Sequence, residues 1–173
     1  MDTNNEMKID NTNRKTLAKS FKGVGAELGV AAGRFSKAIL DNSSCELLYS
    51  IDRWAGDRGH NKKQFSEACY LLAPYKQKSR VMLSTFKDIV DWFDNESLDF
   101  IYIDGYAHTG QEGGDTLEDW WPKLKQGGIF SGHDYDTKRW PLTVAAVDSF
   151  LASVDKKINL TQENDDKSWY IIK

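Results

Sequence analysis

The chain has 173 residues, a length that supports one domain with one hydrophobic core. A hydrophobic fraction of 40% with 28% charged residues is ordinary globular usage and excludes a disordered or collagen-like chain. A net charge of −3 without a dense basic block disfavours nucleic acid as a partner, and no apolar run approaches the roughly 20 residues that span a bilayer.

The polar start of the chain and its two cysteines bear on the cellular compartment. Residues 1–10 lack the apolar segment of a signal peptide. Cys45 and Cys69 have neither metal-ligand spacing nor the density of a secreted disulfide scaffold. We therefore expect a cytoplasmic protein with reduced thiols.

Taken in chain order, the sequence begins with a polar segment and then alternates between two patterns. Residues 1–22 predict a mobile arm that leads into a short helix around 14–21. From 23 to 173, short apolar runs alternate with longer segments whose apolar residues recur at helical spacing. Strands are predicted at 24–28, 47–51, 80–83, 100–103, 129–131, 157–160 and 168–172.

This alternation predicts an α/β fold with a Rossmann-like, doubly wound and mostly parallel sheet. Right-handed crossovers place the ligand crevice of such a sheet at the carboxyl ends of its strands. The last two strands are separated only by 161–167, which is too short for a helical crossover. We expect them to form an antiparallel hairpin at one edge of a single domain spanning 23–173.

Two strand ends carry residues typical of a nucleotide site. Gly29 and Gly33 allow a tight turn and a close approach of the following helix, although packing alone would also explain them. Asp52 ends the second strand 23 residues after Gly29, close to the spacing of roughly 20 residues at which a carboxylate binds ribose hydroxyls. A helix N-cap or a solvated loop carboxylate is the alternative role for Asp52.

The fourth and fifth strands end in carboxylates and imidazoles, and here the sequence resembles a known family. The segments ELGVAAGRFS, IDGYAH and GGIFSGHDY match the patterns E-x-G-x-x-x-G-x-x-S, I-D-G-x-x-H and G-G-x-x-x-G-H-D-Y. The chain resembles class I S-adenosylmethionine-dependent methyltransferases, and in particular a small single-domain family of that superfamily. The similarity covers 23–173.

The resemblance implies a set of residues that bind S-adenosylmethionine. By this resemblance, Glu27, Gly29 and Gly33 contact the methionine end of the cofactor. Asp52 binds the ribose diol, and Asp104 lies near the reactive methyl group. The implied cofactor site also includes Arg53, Trp54, Ser84, Thr85 and Phe86. The triplet that begins at Ser84 lacks the acidic residue usual beside adenine, and Thr85 could accept a hydrogen bond from the exocyclic amine instead.

Methyl transfer to a hydroxyl needs a group that removes the acceptor proton, and two histidines are candidates. His133 abuts Asp134 and is preferred over His108. His108 could equally be a solvated loop residue, and His133 could cap a backbone carbonyl. In this mechanism Asp104 positions the acceptor. Alternatively, the resemblance to class I O-methyltransferases that bind Mg²⁺ at these strand ends implies a metal site at Asp104 and Asp134, completed by His133 or His108. The metal would lower the pKa of the acceptor hydroxyl.

The segment 53–63 is basic and glycine-rich, with Trp54 near its start. It is either a lid that closes over the cofactor or a solvated loop. The loop 110–114 has the same two interpretations.

The resemblance implies O-methylation of a small hydroxylated acceptor such as a sugar or secondary-metabolite hydroxyl. The chain has no insertion large enough to cap the acceptor, so the site is either open or completed by another subunit of a homo-oligomer. Two other classes of protein are alternatives. One is a non-catalytic cofactor-binding or accessory subunit, and the other is an NAD-dependent oxidoreductase, which the missing G-x-G-x-x-G disfavours.

Overall fold

The computed structural model describes residues 9–56 and 60–173. Within this part of the chain, seven strands form one sheet in the order β3-β2-β1-β4-β5-β7-β6. The strands are β1 (Lys22–Leu28), β2 (Ser44–Asp52), β3 (Ser79–Leu83), β4 (Leu98–Ile103), β5 (Leu124–Tyr135), β6 (Asn159–Leu160) and β7 (Lys167–Ile172). The helices are α1 (Arg14–Ala18), α2 (Arg34–Asn42), α3 (Lys62–Leu72), α4 (Phe86–Ile89), α5 (Gly110–Gly113), α6 (Asp115–Trp120) and α7 (Pro141–Ser153).

The sheet confirms the predicted fold class. Strands β1 to β5 are mutually parallel, and their order reverses between β1 and β4, where Leu28 pairs with Ile103. The carboxyl ends of β1 and β4 therefore meet at the switch point, which is where open α/β sheets bind ligands. The predicted antiparallel hairpin is formed by β6 and β7, and β7 also pairs antiparallel with β5.

Apolar side chains cover both faces of the sheet. On one face, Trp120 of α6 is fully buried against Phe93, with a ring-centroid distance of 5.2 Å. Trp120 shares the buried face of α6 with Leu117. On the other face, Phe21 stacks on Phe100 of β4 at 4.4 Å.

The first helix is shorter than the predicted span 14–21. Helix α1 ends at Ala18, and a turn closed by the bond from the Phe21 amide to the Ala18 carbonyl brings the buried Phe21 to the start of β1. Asn13 caps α1 and exchanges bonds with Thr16 in a capping box. Residues 1–8 of the predicted arm lie outside the described residues.

The loop after β4 contains an unusual turn. Residues Gly110, Gln111, Glu112, Gly113 and Gly114 all have positive φ, so α5 is a left-handed turn. Non-glycine residues rarely adopt this conformation. The turn is packed, since Gln111 is buried and a Cβ at Gly110 would lie 2.5 Å from the Leu142 carbonyl oxygen of α7.

Among residues 9–56 and 60–173, no helix combines the length and the apolar character needed to cross a bilayer.

Candidate functional site

A cavity of about 260 Å³ opens at the carboxyl ends of β1, β2, β4 and β5. It is the place where the sequence predicts the cofactor. Its lining combines turn backbone, carboxylates, imidazoles and aromatic rings. The lining residues are Gly29, Asp52, Arg53, His60, Phe86, Asp104, Gly105, Tyr106, Ala107, His108, Asp134 and Trp140.

The turn after β1 is shaped by close backbone contacts. Gly29 has a φ of +97°, and a Cβ there would lie 2.2 Å from the Asp104 carbonyl oxygen, so no side chain fits between the ends of β1 and β4. Ala31 also has a positive φ, of 49°, at the position where many nucleotide-binding turns have glycine. Gly33 caps α2 in the left-handed region and packs against the backbone of Ala68.

Asp52 joins the turn after β1 to the segment after β2. Its Oδ2 accepts hydrogen bonds from the amides of Val30 (2.9 Å) and Ala31 (3.0 Å) and lies 2.8 Å from His60 Nδ1. Its Oδ1 accepts from the Trp54 amide at 3.0 Å. With 3% exposure, Asp52 is not a solvated loop carboxylate.

The ionisation of Asp52 follows from these contacts. Burial raises its pKa, but the bond to His60 and the backbone bonds from Ala31, Trp54 and Val30 outweigh burial and lower the pKa to about 2. Asp52 therefore keeps its charge in the fold.

Glu27 lies beneath the same turn and is only 1% exposed. Ser36 Oγ, in the first turn of α2, donates a short hydrogen bond to Glu27 Oε2. Burial raises the pKa of Glu27 to about 8, against the lowering effect of the Ser36 bond. A cationic ligand group beside Glu27 would favour its charged form.

The ends of β4 and β5 bring Asp104, His133 and Asp134 together. His133 Nδ1 lies 3.1 Å from Asp134 Oδ1 and 3.6 Å from Asp104 Oδ1. Asp134 has a φ of 61° at an irregularity of β5, and this left-handed conformation is one that aspartate tolerates. His133 Nδ1 therefore contacts carboxylates, and not a backbone carbonyl as in the alternative role.

The charged groups in this cluster shift each other's pKa. Burial lowers the pKa of His133, but the hydrogen bond to Asp134 and the charge of Asp104 outweigh burial, so the pKa lies above its usual value. Burial also raises the pKa of Asp104, opposed by His133 and Arg14. The arrangement favours an imidazole that holds its Nδ1 proton towards the carboxylates and leaves Nε2 for another partner.

Aromatic side chains form the remaining wall of the cavity. Phe86 and Tyr106 pack edge to face, with centroids 4.8 Å apart, and the Arg53 guanidinium lies 5.9 Å from the Tyr106 ring. Trp140 donates through Nε1 to Asp166 at 3.0 Å. His108, in a 3₁₀ turn at Ala107–Thr109, is partly buried on this wall.

Several predicted site residues do not line the cavity. Trp54 is 4% exposed, packs on Phe65 and donates to the Ala31 carbonyl at 2.8 Å. The Thr85 hydroxyl bonds the amide and carboxylate of Asp88, thereby capping α4. The Ser84 amide donates to the Asp52 carbonyl at 3.1 Å. Of the predicted lid, Asp57, Arg58 and Gly59 lie outside the described residues.

Sequence reasoning missed several residues of the site. Arg14 pairs with Asp104, its Nη1 lying 3.1 Å from Oδ2. His60 reaches Asp52, and Gly105, Tyr106 and Ala107 line the cavity. The chain separation of 90 residues between Arg14 and Asp104 left no local signal. The segment around Tyr106 did carry one, because it lies inside the I-D-G-x-x-H pattern.

Comparison with known proteins gives the family. The family model for a methyltransferase domain matches residues 24–135, more than half of the chain. The chain belongs to this methyltransferase family, and its fold is that of class I S-adenosylmethionine-dependent methyltransferases.

A curated relative and two solved structures illustrate the similarity. The uncharacterized protein y4gI of Sinorhizobium fredii is 22% identical over 145 residues, which is 82% of this chain but 16% of that protein. A Staphylococcus aureus protein named as a candidate caffeoyl-CoA O-methyltransferase has a TM-score of 0.68 at 18% identity, covering 88% of this chain and 77% of its own. The methyltransferase PaMTH1 of Podospora anserina, bound to S-adenosylhomocysteine, has a TM-score of 0.65 at 12% identity, covering 87% and 71%.

Proposed function

We propose that the chain is an S-adenosylmethionine-dependent O-methyltransferase that acts on a small hydroxylated acceptor. The observation that carries the proposal is the Asp104–His133–Asp134 cluster, which lies beside the cavity that Gly29 and Asp52 line. This arrangement supports a role for the cluster as proton acceptor beside the predicted cofactor site. The similarity to a candidate caffeoyl-CoA O-methyltransferase supports O-methylation.

The cavity has the donors and the space that the cofactor requires. Gly29 lines the cavity, and its backbone without a side chain allows a ligand to approach closely. Asp52 lines the cavity as a buried charged acceptor suited to ribose hydroxyls, and Phe86 offers an apolar surface for adenine. S-adenosylmethionine, when bound, supplies an activated methyl group on sulfur.

In this proposal His133 takes the proton of the acceptor hydroxyl. Its Nδ1 is held by Asp134 and faces Asp104, so Nε2 is the nitrogen that receives the proton. The two carboxylates stabilise the imidazolium that results. Trp140 and Tyr106 orient the acceptor through their ring surfaces.

The predicted Mg²⁺ role fits the donor set less well. The three potential ligand atoms of Asp104, His133 and Asp134 do lie within 4.8 Å of one another. However, Mg²⁺ prefers oxygen ligands in an octahedron, and here a nitrogen stands between the carboxylates while Arg14 pairs with Asp104. The cluster is therefore better suited to proton transfer than to Mg²⁺ binding.

Methyl-labelled S-adenosylmethionine tests the proposal against a panel of phenols, catechols and sugars, with the matching amines as controls. We expect labelled product from a hydroxyl acceptor, unaffected by chelator. His133→Ala should slow turnover by about 10²- to 10⁴-fold. His108→Ala, a variant on the same cavity wall, should slow it less.

Three results would each contradict part of the proposal. Product from amines alone would exclude O-methylation. Turnover that is lost with chelator, is restored by Mg²⁺ and survives in His133→Ala would establish the metal mechanism. Binding of S-adenosylhomocysteine without turnover on any acceptor would favour the accessory-subunit class.

A further inference from the structure

Helix α1 brings a cation to the carboxyl ends of β1 and β4. Leu17 and Ala18 are fully buried, and the stacked pair of Phe21 and Phe100 follows directly. The exposed face of this short helix leaves Arg14 at the site, with its side chain 32% exposed. The helix is thus anchored by its apolar side while Arg14 stays accessible.

The C-terminal hairpin fixes the position of Arg14 from the opposite end of the chain. Asn11 donates through Nδ2 to the Leu160 carbonyl (2.9 Å) and accepts from the Gln162 amide (2.9 Å). Glu163 Oε2 accepts from the Arg14 amide at 3.2 Å. These bonds hold the start of α1 in place before any ligand binds, which reduces the ordering cost of binding.

The Arg14 guanidinium spans the two elements that frame the end of β1. Its Nη1 lies 3.1 Å from Asp104 Oδ2 at the end of β4. Its Cζ lies 4.8 Å from the centroid of the Phe35 ring in the first turn of α2. One bond to Asp104 leaves other N–H groups of the planar guanidinium available for a second carboxylate.

The charges around this point match an amino acid. Glu27 and Asp104 are acidic residues at the ends of β1 and β4, and an ammonium group or the cationic sulfonium beside them would favour their charged forms. A carboxylate placed there would be repelled unless a fixed cation faced it. Arg14 is that cation, and guanidinium matches carboxylate geometry.

We infer that Arg14 binds the α-carboxylate of the methionyl part of the cofactor, and so selects adenosyl ligands that carry an amino acid. This inference rests on the proposed function. It makes α1 part of the cofactor site, although the helix lies outside the part of the chain that matches the methyltransferase family, residues 24–135.

Calorimetric titration with two ligands tests the inference. S-adenosylhomocysteine carries the amino acid, whereas 5′-methylthioadenosine has the same nucleoside and a thioether without it. We expect Arg14→Met to weaken binding of S-adenosylhomocysteine about 10- to 100-fold, the loss of a charge-assisted pair. Binding of 5′-methylthioadenosine should change by less than about 2-fold, because it makes no such pair.

Two further variants sharpen the comparison. Arg14→Lys keeps the positive charge but loses the planar, two-pronged guanidinium. Its affinity for S-adenosylhomocysteine should lie between those of wild type and Arg14→Met. Lys15→Met removes an exposed cation from the same helix and should leave both affinities unchanged. Equal weakening of both ligands in Arg14→Met would overturn the inference, since Arg14 would then act only through Asp104.

A ligand comparison on the wild-type chain avoids any folding defect of the variants. Decarboxylated S-adenosylmethionine keeps the ammonium and sulfonium groups and should bind at least about 10-fold more weakly than S-adenosylmethionine. Equal affinity would overturn the inference while leaving the proposed function intact. If neither S-adenosylmethionine nor S-adenosylhomocysteine bound the wild type, the proposed function itself would be wrong.

Discussion

At the scale of single residues, the buried Glu27 lowers the stability of the fold as the pH rises. The raised pKa of about 8 means that the folded chain holds a proton on Glu27 that the unfolded chain releases near its ordinary value of 4.5. Stability from this group is therefore fully present below pH 4.5 and is lost as the pH rises towards 8. An ammonium group bound beside Glu27 would offset that loss.

Glu27→Gln isolates this effect. The amide mimics the protonated carboxyl and keeps an oxygen for the Ser36 hydroxyl, so near pH 5 the variant should match wild type closely. Between pH 5 and 8 the wild type should lose up to about 1.4 kcal/mol per pH unit that the variant keeps. Urea unfolding at several pH values, with Glu46→Gln as the exposed control, measures the difference. A constant difference between wild type and variant would contradict the buried, protonated Glu27.

At the scale of elements, the left-handed turn α5 and helix α7 together position the cavity wall. Gly110 lies against the Leu142 carbonyl at the start of α7. Thr143 Oγ1 of α7 donates to the Ala107 carbonyl at 2.8 Å, beside His108. The turn α5 therefore packs against α7 and supports the cavity wall at Ala107 and His108. The polar sequence of 110–114 did not indicate this packing.

Two glycine substitutions separate backbone conformation from packing in this turn. Gly110 and Gly113 have φ values of +64° and +73°, but only at Gly110 would a Cβ meet another atom within 4 Å. Gly113→Ala should cost about 1 kcal/mol for the left-handed conformation alone. Gly110→Ala should cost roughly 2–4 kcal/mol because the contact with Leu142 is added. Equal losses in urea unfolding would show that α5 does not press against α7.

At the scale of the whole molecule, the candidate site is also a junction of the fold. Asp52 receives hydrogen bonds from the turn after β1 and from the segment after β2, so it couples two crossovers through one carboxylate. Removing the Asp52 carboxylate should therefore weaken ligand binding and lower the free energy of unfolding.

We expect wild type to bind S-adenosylhomocysteine with a micromolar dissociation constant, about −8 kcal/mol, and not to bind NAD measurably. Asp52→Ala should weaken S-adenosylhomocysteine binding by roughly 1–3 kcal/mol and also lower the free energy of unfolding. Asp94→Ala, which removes an exposed carboxylate, is the control for both measurements. Unchanged affinity in Asp52→Ala would remove Asp52 from the cofactor site.

The existence of the strands and the residues at their carboxyl ends could be predicted from the amino-acid sequence. Apolar runs and helical spacing are local patterns, so the positions of Gly29, Asp52, Asp104 and His133 along the chain follow from them. Parallel strands end at one edge, which brings these residues together without further information. The family-like motifs then indicated the methyltransferase family, and the family match confirmed that membership.

Which other groups reach that edge of the sheet depends on tertiary packing. Arg14 meets Asp104 because α1 packs on the sheet and is bonded to a hairpin 149 residues away. Trp54 turns away from the cavity because burial against Phe65 removes its rings from water. Such contacts depend on packing between distant segments, which no spacing along the chain encodes.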